Sequence, residues 1–284
     1  MREILERVRA ARPLIHNITN YVTVNDVANI VLACGGSPIM ADDFEEVEDI
    51  TSICAGLNIN IGTLNRNTIP SMFRAGKKAN ELGHAVLLDP VGTGASRHRT
   101  ETALSLVKEI HFDAIRGNSS EIRALAKGIG VMQEDGRMVG GGSTKGVDAD
   151  AADVITEETL DAAVTFAKAF AGVTGGVIAI TGTLDLVADV AQCYVIRNGR
   201  PEMGRITGTG CQLSGMATAF LAANRGNPCK AMAAAVCAMG LAGEIGWANM
   251  QPQDGNVTYR NRIIDAVYCM TGEQLEKGAK YEIR

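Results

Sequence analysis

Ala85-Val86-Leu87-Leu88-Asp89-Pro90-Val91-Gly92 is a short apolar run closed by a carboxylate, a proline and a glycine. Strands of a parallel sheet are covered by helices on both faces, so they read as continuous apolar runs and not as strict alternation. Runs of the same kind recur at 37–40, 56–61, 114–116 and 177–181, each short and closed by Gly, Asp or Asn. Helical segments fall between them at 23–34, 67–82, 100–110, 119–127 and 159–170. In the first, Val24, Val27, Ala28, Val31 and Leu32 share a face and Gly35-Gly36 stops the helix. This alternation predicts βαβ units and an α/β fold with a mainly parallel central sheet.

Beyond Thr181 the pattern changes. Residues 186–191 and 192–197 read as paired strands before a turn at Asn198-Gly199 and Pro201. Three long helical stretches follow, at 209–224, 230–249 and 261–277. The second is apolar nearly all round, which predicts a buried helix. No Pro/Ser-rich linker, charge shift or internal repeat divides the chain, so residues 1–284 are expected to form one domain. Gly140-Gly141-Gly142-Ser143-Thr144-Lys145-Gly146 lacks the Gly-x-x-x-x-Gly-Lys-Ser/Thr order of a phosphate loop and reads as a surface loop.

Composition narrows the function classes. Hydrophobic residues at 46% and charged ones at 21% exclude a disordered chain, and 4% aromatics predict a core of Ala, Val, Ile, Leu and Met. A net charge of −5 with dispersed Lys and Arg argues against nucleic acid as a partner. The apolar stretches are broken by Gly, Asn, Glu or Asp before membrane-spanning length. The start at Met1-Arg2-Glu3-Ile4 carries no apolar leader, so no membrane partner and a cytoplasmic location are expected. The cysteines at 34, 54, 193, 211, 229, 237 and 269 form no Cys-x-x-Cys pair. Six of them are expected to be small buried hydrophobes, with Cys211 set apart. His16, His84, His98 and His111 have no metal-ligand spacing, and no Gly-x-Ser-x-Gly elbow supports an esterase.

Ligands of open parallel sheets bind beyond the carboxyl ends of the strands. Asp89, Arg116-Gly117-Asn118-Ser119-Ser120-Glu121 and Thr181-Gly182-Thr183 all fall there, and Thr207-Gly208-Thr209-Gly210-Cys211 opens a long helix. Glycines at a helix N-terminus let backbone N–H groups cradle an anion such as a transferred phosphoryl group. A tight strand-to-helix connection would use the same glycines. Asn118 and Glu121 could organise a hydrated Mg²⁺, and equally could cap a helix.

The ordered series His16-Asn17-Ile18-Thr19-Asn20, Gly35-Gly36-Ser37-Pro38-Ile39-Met40-Ala41, Asn60-Ile61-Gly62-Thr63-Leu64, Leu88-Asp89-Pro90-Val91-Gly92, Arg116 to Glu121 and Gly208 to Cys211 resembles the hydroxyethylthiazole kinases. The resemblance spans nearly the whole chain. It implies a three-layer α/β/α, ribokinase-like fold with a mainly parallel central sheet and without a separate lid domain. It implies Mg²⁺-assisted transfer of the ATP γ-phosphoryl group to 4-methyl-5-(2-hydroxyethyl)thiazole in thiamine salvage. By position, Met40 and Gly208 would contact the thiazole, with Asn20, Thr23, Gly62 and Thr63 nearby. Arg116 and Thr181 would bind ATP, with Asp89, Asn118 and Gly210 beside the phosphates and Glu121 toward the metal. A homotrimer with sites between subunits is also implied.

Cys211 stands where many ribokinase-like enzymes carry the Asp that accepts the alcohol proton. A thiol ionises near ~8.5 when free, and a helix N-terminus lowers that value. The expectation is that Cys211 positions the alcohol with modest base assistance. Asp42-Asp43-Phe44, Thr183 and Gln212 depart from the family pattern. The alternatives are a hydroxymethylpyrimidine kinase, an ATP-dependent hydrate dehydratase, or a non-catalytic nucleotide-binding subunit. Asn17 to Asn20 and Cys211 argue against the two enzymes, and the intact Glu121 and glycine turn against the third.

Overall fold

A computed structural model of the chain describes residues 1–132 and 154–284. The Gly140–Gly146 stretch lies outside the described residues. Six parallel strands and three antiparallel ones make a nine-stranded sheet in the order β2-β1-β3-β4-β5-β6-β7-β8-β9. The parallel strands are β1 (Leu14–Ile18), β2 (Ser37–Met40), β3 (Gly56–Asn60), β4 (Ala85–Asp89), β5 (Ala114–Asn118) and β6 (Val177–Thr181). The antiparallel extension is β7 (Asp185–Ala188), β8 (Cys193–Ile196) and β9 (Tyr281–Ile283).

The central strands are apolar on both faces, as the runs predict. On β4, Ala85 and Leu87 face one core while Val86 and Leu88 face the other. On β6, Val177 and Ala179 divide from Ile178 and Ile180 in the same way. The first core is closed by α1 (Arg2–Ala11), α2 (Val24–Cys34), α8 (Thr209–Ala223), α9 (Pro228–Ala248), α10 (Asn256–Cys269) and α11 (Gly272–Gly278). The second is closed by α3 (Val47–Ile53), α4 (Thr68–Leu82), α5 (Arg97–Glu109), α6 (Ser119–Gly128) and α7 (Leu160–Thr174). The result is three layers, and no lid domain stands apart among the described residues. Leu87 is fully buried, so truncation to Ala is expected to cost about 2–5 kcal/mol.

Several elements differ from the sequence reading. β1 carries His16 and Asn17 inside a central strand and so escapes an apolar-run criterion. Both are buried and hydrogen-bonded: His16 reaches Thr51 Oγ1 (2.9 Å) and the Ala41 carbonyl (2.8 Å), and Asn17 Nδ2 donates to the Ile15 carbonyl (3.0 Å). The helix expected over 261–277 is two helices, because Thr271 and Gln274 close a capping box that starts α11. The short α3 and the three-residue β9 were not expected. Cys269 ends α10 exposed to solvent, unlike the other six cysteines, which are buried; all seven are unpaired. By length and composition α9 could cross a membrane, but 78% of its apolar window is buried inside the fold.

Candidate active site

The carboxyl ends of β3 and β4, the β1–α2 turn and the start of α8 meet in one polar cluster. Its centre is Asp89, the last residue of β4 and fully buried. Asn60, which ends β3 in register with Asp89, donates from Nδ2 to Asp89 Oδ2 (2.8 Å). Ser214 Oγ donates to the same oxygen (2.8 Å). Ser214 lies one helical turn beyond Gly210, which is why a polar residue on that buried helix can reach the strand end.

From Asn60 the network runs outward. Its Oδ1 accepts from Gly62 N (2.9 Å) and from Asn20 Nδ2 (3.1 Å). Asn20 Nδ2 also donates to Cys211 Sγ (3.1 Å), and Thr23 Oγ1 donates to Asn20 Oδ1 (3.1 Å). Thr63 Oγ1 accepts from Tyr21 N (3.3 Å), tying the Gly62-Thr63 loop to the same turn. The structure therefore brings Asn20, Thr23, Gly62, Thr63, Asp89 and Cys211 together. Met40 lies apart from these bonds at the carboxyl end of the half-buried edge strand β2. His16 holds the next carbonyl, that of Ala41 (2.8 Å), and so fixes the chain just beyond β2. Burial lowers the His16 pKa and keeps its imidazole neutral.

Gly208 is the N-cap of α8 at φ +82°, a left-handed conformation suited to glycine. A side chain there would overlap Thr23 Cγ2. At Gly210 an added carbon would overlap the Arg116 guanidinium, so that cation lies directly over the first turn of α8. Arg116 Nη2 donates to Thr181 Oγ1 (2.5 Å), and Nη1 stands 3.6 Å from Asp89 Oδ2. An arginine and a glycine-rich helix N-terminus are two converging sources of positive potential, which is what a nucleotide phosphate needs.

Asn118 and Glu121 form the capping box: Asn118 Oδ1 accepts from Glu121 N (2.8 Å) and Glu121 Oε2 from Asn118 N (2.9 Å). Glu121 Oε1 also accepts from Gly92 N (2.8 Å), in the loop leaving β4. Capping thus accounts for the pair locally, while the extra bond ties Glu121 to the loop leaving β4. No cluster of three His, Cys, Asp or Glu groups that could hold a metal exists among the described residues. Mg²⁺ bound with a nucleotide requires no such cage, since one or two carboxylates plus phosphate oxygens suffice. Glu121 fits that role, for each of its oxygens keeps a free lone pair. Asp89 Oδ1, buried and without a hydrogen-bond partner among the described residues, fits a site that gains partners on ligand binding.

Burial pushes the Asp89 carboxyl up to about 6, opposed by Arg116 and by the Ser214 and Asn60 bonds. The Cys211 thiol is likewise raised, by burial first and by Asp89 second, although Asn60, Asn20 and Thr23 pull it down. The thiol is therefore protonated near neutrality, contrary to what a helix N-terminus alone would give. Asp185, which opens β7 and accepts from Gly182 N (2.8 Å), is pushed by burial up to about 7. Sequence reasoning assigned no role to Asn60, Ser214 or Asp185. Asn60 carried a usable signal, a polar residue ending an apolar strand as Asp89 does, whereas Ser214 required the helix register against β4.

This geometry, an anion-binding helix start beside a polar turn on an α/β sheet, suits a phosphotransferase. The sequence profile of the Hydroxyethylthiazole kinase family matches residues 5–273, and the chain belongs to that family. It is 56% identical over 282 residues to a hydroxyethylthiazole kinase of Clostridium acetobutylicum, covering 99% of each chain. The solved hydroxyethylthiazole kinase of Pyrococcus horikoshii OT3 superposes with a TM-score of 0.85 at 32% identity, over 100% of this chain and 98% of that one. A pyridoxal kinase from Staphylococcus aureus, solved with AMP-PCP and pyridoxal, shares the fold at a TM-score of 0.60 and 14% identity, over 95% and 97% of the chains. The fold is ribokinase-like.

Proposed function

We propose that the protein transfers the γ-phosphoryl group of ATP to the hydroxyl of 4-methyl-5-(2-hydroxyethyl)thiazole, giving the thiazole phosphate and ADP for thiamine salvage. The observation that carries this reading is the placement of Arg116 over the Gly208–Cys211 helix start, next to a turn formed by Asn20, Thr23 and Gly62. Positive potential for the phosphates and a polar seat for an alcohol thus share one sheet edge. Arg116, Thr181 and the amides of Gly208, Thr209 and Gly210 hold the nucleotide phosphates. Met40, Asn20, Thr23, Gly62, Thr63 and Gly208 hold the acceptor.

Glu121, supported by Asp89 and Asn118, would hold Mg²⁺ through the phosphates and water; when bound, the ion neutralises charge on the transferred group. Cys211 places the alcohol, and its protonated thiol leaves the chemistry to alignment and charge stabilisation. Phosphoryl transfer suits that division, because its loose transition state draws little on a strong base. Residues 1–284 act as one kinase domain. The seven unpaired thiols suit a reducing cytoplasm.

The acceptor side is open within one chain. Met40 lies on an edge strand whose four residues are all half-buried, and Tyr21, Val22 and Phe44 are exposed beside the acceptor loops. These features support a homotrimer that walls each acceptor pocket with a neighbouring subunit. A coupled ADP-release assay with MgATP and a panel of thiazole and pyrimidine alcohols tests the activity. Thiazole-dependent ADP release is expected; turnover of another alcohol in its place would overturn the substrate. Light scattering on the eluting active species tests the trimer, and a fully active monomer would refute it.

A further inference from the structure

The first turn of α5 carries Arg97, His98 and Arg99, with no acidic residue. Cations at a helix N-terminus oppose its dipole, so each needs a local reason. Arg97 has one in Glu101, at 2.7 Å. Arg99 has no carboxylate within ion-pair distance among the described residues. Instead its guanidinium donates to two backbone carbonyls: Gly62 O at 2.7 Å and Val91 O at 3.5 Å. These carbonyls belong to the loops leaving β3 and β4, the two loops that frame the acceptor and Glu121.

The peptide linking Val91 to Gly92 is held at both ends. Its carbonyl oxygen accepts from Arg99, and its N–H, that of Gly92, donates to Glu121 Oε1 (2.8 Å). Gly92 has φ +75°, and an added carbon there would overlap Arg99 Nη1. The Arg99 side chain therefore packs directly against the Gly92 α-carbon. The other loop is fixed through Gly62, whose N–H bonds Asn60 Oδ1 (2.9 Å) and whose carbonyl accepts from Arg99. A planar guanidinium, with donors on three nitrogens, can span two separated carbonyls in a way that a lysine ammonium, with all its donors on one nitrogen, cannot.

We propose that Arg99 is a positioning residue that locks the acceptor loop at Gly62 to the Glu121 carboxylate through the Val91–Gly92 peptide. It sets the distance between the alcohol and the metal–phosphate side without touching either. The inference rests on the kinase reading for its kinetic consequence, but its mechanical content stands on the free protein. Losing this tie is expected to lower kcat, to raise KM for the alcohol and to raise the Mg²⁺ concentration for half-activation. KM for ATP should stay within about twofold, because Arg116 and Thr181 remain in place.

The test uses the full chain with Arg99→Gln and Arg99→Lys. In ligand-free protein, hydrogen exchange at the Gly92 amide should accelerate at least about tenfold in Arg99→Gln, since the peptide loses one of its two anchors. In the ADP-release assay, kcat should fall roughly 10- to 100-fold, the range for groups that orient a metal-holding residue. Arg99→Lys should recover only part of either effect. Unchanged exchange at Gly92 would overturn the proposal whatever the activity. So would faster exchange with a lower melting temperature but unchanged kcat and alcohol KM, the pattern of a merely structural arginine. If Arg99→Gln fails to fold, Arg99→Lys carries the same two measurements. Wild type lacking thiazole-dependent turnover would defeat the substrate reading while leaving the exchange result to decide the loop tie.

Discussion

Replacing Gly208 by Ala tests whether the helix start and the acceptor turn are one mechanical unit. The backbone there has φ +82°, which a non-glycine residue adopts at a cost of about 1–2 kcal/mol. The new methyl would also overlap Thr23 Cγ2 and stand 3.0 Å from Thr23 Cβ. Overpacking of this kind costs about 1–3 kcal/mol. Together the loss is about 2–5 kcal/mol, which for a chain of this size lowers Tm by roughly 5–12 °C. Thr23 cannot retreat freely, because its hydroxyl donates to Asn20 Oδ1 and its carbonyl caps α2 by accepting from Val27 N (2.9 Å). Asn20 in turn reaches Cys211, so acceptor KM should rise about tenfold as the turn shifts.

The two contributions separate in a double-mutant cycle with Thr23→Ser, which removes the overlapped methyl and keeps the hydroxyl. In the Gly208→Ala background, Thr23→Ser should recover about 1–3 kcal/mol and most of the acceptor KM, leaving only the backbone term. Urea unfolding of the four proteins gives the coupling, and ADP release gives the KM values. Strict additivity would refute the claimed contact. A normal acceptor KM in destabilised Gly208→Ala would refute the link from Thr23 through Asn20 to the reacting end.

Because burial and Asp89 keep the Cys211 thiol protonated, iodoacetamide at pH 7.5 should alkylate exposed Cys269 well before Cys211, as peptide mass mapping would show. Cys211→Ala should lower kcat by no more than about tenfold; unchanged turnover per site would remove even the modest base role, and a far larger loss would restore a strong one. Asp89 ionises near 6 in the fold against 3.8 for the free group, so the native state favours its protonated form. Its contribution to stability is present below the unfolded value and lost as pH rises through about 6. Asp89→Asn should therefore gain stability relative to wild type by about 2–2.5 kcal/mol between pH 4 and pH 7 in urea titrations, and a constant difference would contradict the shift. Arg116→Lys cannot span Thr181 and Asp89 together, so KM for ATP should rise about tenfold with little change in acceptor KM; equal changes in both would place Arg116 outside the nucleotide side.

The parts of the fold read from the chain are those where one residue type decides locally. Leu87, Ile178 and their neighbours mark strands because both faces are buried. Residues 261–277 misled because the helical period runs through Met270, although Thr271 and Gln274 spell out the break. β1 was hidden for a different reason: His16 and Asn17 look like surface residues until Thr51, Ala41 and Ile15 supply their partners. At the site, Cys211, Gly208 and Arg116 stood out by position, whereas Ser214, Asn60 and Arg99 act through contacts at separations of 29 to 125 residues. Such contacts have no period and no motif. They follow from the register of β3 on β4 and of α8 on the sheet, which only the assembled fold sets.

The electrostatics of Cys211 and Asp89 argue against a simple exchange of thiol for carboxylate as catalytic base. Were the thiol to serve as that base, the site would be expected to lower its pKa, yet burial first and the Asp89 carboxylate second raise it. In the same pocket Asn20 Nδ2 donates to the sulfur (3.1 Å), and the Asn60 amide and the Thr23 hydroxyl lie close enough to pull its pKa down. Donors around a neutral thiol are of small use in the resting state. They become favourable where negative charge develops, on the alcohol oxygen as it approaches phosphorus or on the sulfur if it takes the proton late. A base with a depressed pKa would be ionised early and would repel the incoming nucleotide. A thiol kept neutral by burial and by a neighbouring carboxylate admits the polyanion first and meets negative charge only as the transfer proceeds. On this reasoning the site gains its rate chiefly from alignment and from the positive potential of Arg116 and the α8 terminus.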